Sequence, residues 1–218
     1  MVLILGIDEA GRGPVIGSLF IAGVYLDESK EDKLKEIKVK DSKLLSKKKR
    51  FELYNKIKKI AKIKFIKIEP KEIDSFLEQD HLNLNWLEAH KTALIINEIK
   101  PDKVYIDSPS PNKNAYANYL KKLLKNRNIE LIVEHKAESK FLTVAAASII
   151  AKVNRDREVN SLQKKYGNIG PGYSSNPITQ KFVKENWDKH PELFRKSWVT
   201  WKNHKEAKEQ KKLDDFRE

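Results

Sequence analysis

The residues best suited to chemistry stand near the N-terminus: Asp8 and Glu9 side by side, followed closely by Gly11-Arg12-Gly13. Two more acids, Asp107 and Glu138, also sit at or just past the ends of apolar runs. Carboxylates gathered without cysteine or paired histidines suit hard, oxygen-preferring divalent cations such as Mg²⁺ or Mn²⁺. The five histidines, His81, His90, His135, His190 and His204, show no ligand-pair spacing, so a zinc site is not expected. The chain has no cysteine, which rules out a thiolate site or a disulfide and agrees with a reducing cytoplasm.

Consecutive strand residues point to opposite faces, which makes it difficult for Asp8 and Glu9 to meet one cation; a strand breaking there would let the two side chains, or one side chain and a backbone carbonyl, converge on it. Gly11 and Gly13 suggest such a break. The same glycines set flexible backbone donors beside Arg12, a composition suited to phosphate or sugar. Neither the Walker spacing nor the three-glycine dinucleotide spacing is present. The ordinary alternative for Asp8-Glu9 alone is an exposed acidic turn.

Farther along, Ser148, Lys152 and Arg155 or Asp156 recur at helical spacing, with Ile149, Ile150 and Val153 on another stripe. A solvated helix face is the common explanation of such a polar stripe, and a phosphate-facing surface is the functional one. Trp198 and Trp201, three positions apart, read first as helix packing and second as a base-stacking platform.

Positioning these groups requires a scaffold, and the hydrophobic periodicity supplies one. Val2–Ile7 and Val15–Tyr25 read as adjacent strands of a hairpin, and Ile63–Ile68, Val104–Asp107 and Ile129–Glu134 as three more. Helical spacing covers 30–38, 47–61 with Ser46 as N-cap, 70–77, 84–99 with Asn83 as N-cap, 112–125 and 144 to about 164. Strands alternating with helices define an α/β domain with part of its sheet parallel, where chemistry collects at the carboxyl ends of strands. A helical, tryptophan-bearing portion follows, and Lys202–Glu218 is charged enough to be a solvated helix or a frayed tail.

With 218 residues the chain can bury one substantial core, and 39% hydrophobic against 34% charged residues argues for a folded protein. Its formal charge of +13 favours a polyanionic partner, although a lysine- and glutamate-rich composition is also a mark of thermophiles. The opening MVLILGIDEAGRG lacks a basic leader and reads as a core strand, and no apolar run approaches a membrane span.

Six blocks follow one another along the chain: Gly6-Ile7-Asp8-Glu9-Ala10-Gly11-Arg12-Gly13-Pro14, Lys40-Asp41-Ser42-Lys43-Leu44, Tyr105-Ile106-Asp107-Ser108, Ala145 to Lys152 with Arg155-Asp156, Gly172-Tyr173 and Arg195-Lys196-Ser197-Trp198. Taken together, they resemble ribonuclease HII, the type 2 ribonucleases H. The resemblance implies a ribonuclease H-like mixed β-sheet flanked by helices, with a catalytic domain over 1–164 and a helical substrate-binding portion over 165–218 packed on it. It also implies a monomeric endonuclease that cleaves the RNA strand of RNA–DNA hybrids and cuts at ribonucleotides embedded in duplex DNA. Hydrolysis would use two Mg²⁺ or Mn²⁺ ions and leave 3′-hydroxyl and 5′-phosphate ends.

By the same resemblance Asp8, Glu9, Asp107 and Glu138 hold the metal. Gly11, Arg12 and Gly13 read the 2′-hydroxyl through backbone groups, Tyr173 stacks on the sugar, Lys43 meets phosphate, and Ser148 and Lys152 border the substrate. Glu138 departs from the family's aspartate by one methylene, and Ser18 and Ser174-Ser175-Asn176 depart from its usual loop wording. The rival classes are a non-catalytic hybrid-binding protein and another metal-dependent nuclease or strand transferase of the same fold.

Overall fold

The structure is a computed structural model that describes residues 1–39 and 45–215. Lys43, with the rest of 40–44, therefore lies outside the described residues. Five strands form one sheet in the order β3-β2-β1-β4-β5. They are β1 (Leu3–Ala10), β2 (Leu19–Asp27), β3 (Lys62–Ile68), β4 (Lys103–Asp107) and β5 (Glu130–Glu134). The first three run antiparallel in succession, whereas β4 and β5 lie parallel to β1 and to each other. The sheet is thus mixed, as expected. The second strand begins at Leu19 rather than Val15. Residues 15–18 are withdrawn from the ladder because Val15 and Ile16 donate to Gly172 O and Gly17 donates to Leu193 O.

The helices are α1 (Asp32–Glu36), α2 (Lys47–Ile60), α3 (Pro70–Leu77), α4 (Leu84–Ile99), α5 (Lys113–Leu123), α6 (Leu142–Tyr166), α7 (Pro177–Asn186) and α8 (Val199–Asp215). Local chemistry sets their starts. The Ser46 side chain accepts from Lys49 N, Asn83 from Trp86 N, Asn112 from Ala115 N, and Asn176 from Ile178 and Thr179 N. Each satisfies a donor that the first turn leaves unpaired. Lys100 closes α4 in the left-handed region immediately before Pro101.

Strand alternation divides the core in two. Leu5, Ile7, Ile21, Val104 and Ile106 pack beneath α4 and α5, while Ile4, Ala22 and Val24 on the other face meet α2 and the Ala145–Ala147 and Ile149–Ala151 stretches of α6. A third cluster joins Val15, Ile16 and Val159 to Ile169, Phe182 and Phe194, so the C-terminal portion seals the far end of α6.

The central helix α6 comes very close to β1. A Cβ at Gly6 would lie 2.2 Å from Thr143 C and 2.4 Å from Val144 N, both backbone atoms that cannot swing aside. Gly6→Ala must therefore push the helix outward, and we expect a loss of about 2 kcal/mol or more in urea unfolding. A change within about 0.5 kcal/mol would show that the contact is not fixed.

Candidate active site

Asp8 and Glu9 lie within β1, paired in register with Ala22 and Ile21, and the strand runs on to Ala10. The expected break at the acidic pair is absent, so the two side chains take opposite faces. On the α6 face Asp8 is buried and hydrogen-bonded to Ser148, whose Oγ in turn accepts from Lys152 Nζ at 2.7 Å. On the α4 face Glu9 meets Glu88, a glutamate 2% exposed that binds the Arg12 guanidinium. Asn85 Oδ1 accepts the other Arg12 terminal nitrogen at 2.7 Å.

Asp107 ends β4, the strand beside β1, and its charge is felt by both Asp8 and Glu9. Its Oδ1 accepts from Ala137 N at 2.9 Å, tying it to the 3₁₀ turn Ala137–Ser139 that carries Glu138. Phe141, just after that turn, stacks on Tyr105 of β4 with ring centroids 4.1 Å apart. Three strands or their exits thus deliver four carboxylates to one end of the sheet. Among the described residues they do not close into a ready-made cage of three ligands.

Burial and crowding govern the charges here. Burial first, and Asp107 second, push Asp8 up to about 6. Burial, then Glu88, Asp8 and Asp107, hold Glu9 well above the usual carboxylate range. Burial also raises Glu88, to about 7, against the pull of Arg12. A buried group of acids that resist ionising together is a donor set that a divalent cation would complete, since the cation supplies the charge that water no longer screens. The residues present fit a hard metal.

Beside the acids, a cleft of about 470 Å³ is lined by Glu9, Gly11-Arg12-Gly13, Lys152 and Tyr173. Tyr173 is half exposed, and its ring lies 3.6 Å from where a Cβ on Gly13 would be. A larger hollow of about 650 Å³ lies among Ser18, Lys67, Asp74 and Glu158. Its buried acids are already bonded, Glu158 to Ser18 and Arg155, and Asp74 to the 196–197 backbone, so the smaller cleft is the chemical one.

Ser148, Lys152 and Arg155 turn toward the site and its loop rather than forming a solvated helix face. Ser148 and Arg155 are buried, and Arg155 donates to Ile16 O at 2.7 Å. Asp156 pairs with Arg50 at 2.8 Å and borders the same cleft as Glu9. The departures from family wording have local partners: Ser18 donates to Glu158, and Asn176 caps α7. Trp198 and Trp201 pack as expected, with Trp201 edge-on to Trp187.

Sequence reasoning missed Glu88 beside Glu9, Lys47 and Arg50 in the cleft wall, and the inward role of Arg195. A helical wheel of α4 carries a signal for Glu88, which shares the buried stripe with Leu84 and Thr92 at i±4. Arg195 had none, because its partners are backbone carbonyls distant in sequence.

A mixed sheet with carboxylates gathered at the ends of its parallel strands, beside a glycine loop and a tyrosine, defines a ribonuclease H-like, metal-dependent endonuclease. The ribonuclease HII family model matches residues 5–201, and the chain belongs to that family. It is 46% identical over 206 residues to a ribonuclease HII of Methanococcus maripaludis strain C6, covering 92% of this chain and 86% of that protein. Among solved structures it is similar to ribonuclease H2 from Pyrococcus horikoshii OT3, with TM-score 0.86 and 40% identity over 94% of this chain and 98% of that one. It is also similar to ribonuclease HII in a complex with PCNA from Archaeoglobus fulgidus, with TM-score 0.80 and 38% identity over 92% and 94% of the two chains.

Acids with folded-state pKa values above their ordinary ones keep protons that the unfolded chain has released. Their contribution to stability is therefore present at low pH and lost as pH rises from about 4 toward about 7. In EDTA, Asp8→Asn should raise stability at pH 8, and the gain should shrink by on the order of 1–2 kcal/mol at pH 5. Denaturant titrations of both proteins at the two pH values measure this. A gain of equal size at both would place Asp8 outside the buried, crowded environment described above.

Proposed function

We propose that the protein hydrolyses the RNA strand of RNA–DNA hybrids and cuts duplex DNA at embedded ribonucleotides, leaving 3′-hydroxyl and 5′-phosphate ends. The observation that carries this reading is the adjacency of two devices in one cleft. Glu9 belongs both to the carboxylate group and to the cleft wall that Gly11-Arg12-Gly13 and Tyr173 complete. One device suits phosphodiester hydrolysis, and the other suits a sugar.

Asp8, Glu9, Asp107 and Glu138 would hold two ions, Mg²⁺ or Mn²⁺. Divalent ions held there would supply the positive charge that activates water and offsets charge on the leaving 3′-oxygen. The protein's own groups do the rest. Ser148 fixes the Asp8 carboxylate, and Lys152, bonded to Ser148, adds positive charge at the cleft wall for a phosphate. Lys43 would meet phosphate. A ribonucleotide differs from its deoxy neighbours by the 2′-hydroxyl, so selection falls to Gly11, Arg12 and Gly13, with Tyr173 stacked against the sugar. The charge of +13 draws the polyanion in and makes affinity fall steeply with salt.

The test is a duplex with a single internal ribonucleotide, incubated with Mg²⁺ or Mn²⁺ beside its all-DNA twin. Cleavage of the first alone is expected, whereas cleavage of both or of neither overturns the reading. Glu138→Gln should lower turnover by a factor on the order of a hundred or more, while Glu138→Asp, which keeps the carboxylate, should be tolerated. Full activity in the glutamine variant would remove Glu138 from the site.

A further inference from the structure

Arg195 is wholly buried, yet among the described residues it faces no carboxylate at bonding distance. Its guanidinium instead spends every nitrogen on backbone carbonyls of one loop: Nε on Gly17 O at 2.9 Å, Nη1 on Arg12 O at 2.7 Å and Nη2 on Gly11 O at 2.5 Å. Trp198 Nε1 adds a bond to Gly13 O at 3.1 Å, and its ring lies 4.8 Å from the Arg195 guanidinium carbon. The two residues are in turn anchored by Asp74 of α3, which accepts from Lys196 N at 2.8 Å, Ser197 N at 2.9 Å and Ser197 Oγ at 2.6 Å.

The peptide bonds concerned are trans and planar, so each carbonyl points opposite to the N–H of the next residue. Three successive carbonyls drawn toward Arg195 and Trp198 therefore send the N–H groups of Arg12 and Gly13 the other way, while Pro14 has none to send. Among the described residues neither N–H donates to another protein group. Gly11, Arg12 and Gly13 line the cleft, whereas Arg195, wholly buried, is not part of its wall.

From this geometry we infer that Arg195, with Trp198, is a positioning residue for ribose selection: it fixes the loop with carbonyls inward and two amide donors outward, so that the 2′-oxygen is read as a hydrogen-bond acceptor. The inference rests on the reading of Gly11-Arg12-Gly13 as the ribose sensor and deepens it. A fixed donor pair needs no reordering when substrate arrives, which is what precise selection of one hydroxyl requires. Arg12 cannot leave the loop to do the same work, because its side chain is committed to Glu88 and Asn85.

The experiment compares steady-state cleavage of the single-ribonucleotide duplex with inhibition of that reaction by its all-DNA twin. Arg195→Lys and Trp198→Phe should each lose about tenfold or more in kcat/KM on the ribonucleotide duplex. The inhibition constant of the all-DNA duplex should stay within about twofold, because phosphate contacts position without reading the sugar. A merely structural role would weaken both together. If Arg195→Lys does not fold, Trp198→Phe decides, since it keeps an aromatic ring beside the guanidinium and removes the indole N–H.

Wild-type kcat/KM in Trp198→Phe or a folded Arg195→Lys, or equal loss on both duplexes, overturns the inference. Gly13→Ala separates it from the reading beneath it. A methyl there makes only ordinary contact with Tyr173 and leaves Arg195 untouched, yet it occupies space beside the sugar. Full activity in Gly13→Ala would sink the ribose-sensor reading itself. Lost activity there with intact Trp198→Phe and Arg195→Lys would sink only the role of the clamp.

Discussion

A side chain at position 6 would collide with the backbone of Thr143 and Val144, and the absence of one lets α6 lie directly on β1. Much else follows from that separation. At this distance Ser148, beyond the first turn of α6, reaches Asp8, and Lys152 reaches Ser148 one turn later. The run Ala145-Ala146-Ala147 keeps the interface thin along the same stretch. Farther on, Arg155 and Glu158 grip the 16–18 turn from the same helix. One helix therefore serves as core, as support for a carboxylate and as the back wall of a loop.

The second constraint is strand alternation. Because β1 continues past its acids, Asp8 and Glu9 leave the strand on opposite faces, Asp8 toward α6 and Glu9 toward α4, yet both border one small hollow with Asp107 and Glu88. Asp107 on the adjacent parallel strand acts on both. Burying these groups works against stability at neutral pH, a common arrangement where function demands charge in a dry place.

Much of this was legible in the sequence. The caps at Ser46, Asn83 and Asn112 and the apolar periods set most elements to within a few residues, because those signals are local. The placement of Asp107 at a strand end and Glu138 just past another was legible for the same reason. What escaped was decided by tertiary contacts. The strand was expected to break at Asp8-Glu9 because glycines follow, but the ladder with β2 carries it through Ala10. The polar stripe of α6 looks like a solvated face in one dimension and is buried because a loop and two strands cover it. Arg195 and Glu88 could not be assigned partners, since each binds residues that only the finished fold brings near.

The reach of Arg195 also has a consequence in the order of synthesis. Its bond to Gly11 O spans 184 positions, and the hydrogen bond from Trp198 to Gly13 O spans 185. A growing chain emerges N-terminus first, so β1 and its acids are available long before the residue that shapes their neighbouring loop. Until Arg195 arrives, the carboxylates exist without the finished loop beside them. A portion of the chain that emerges long after the acids thus completes the loop beside them, and a product interrupted before Arg195 carries the acids without that finished loop.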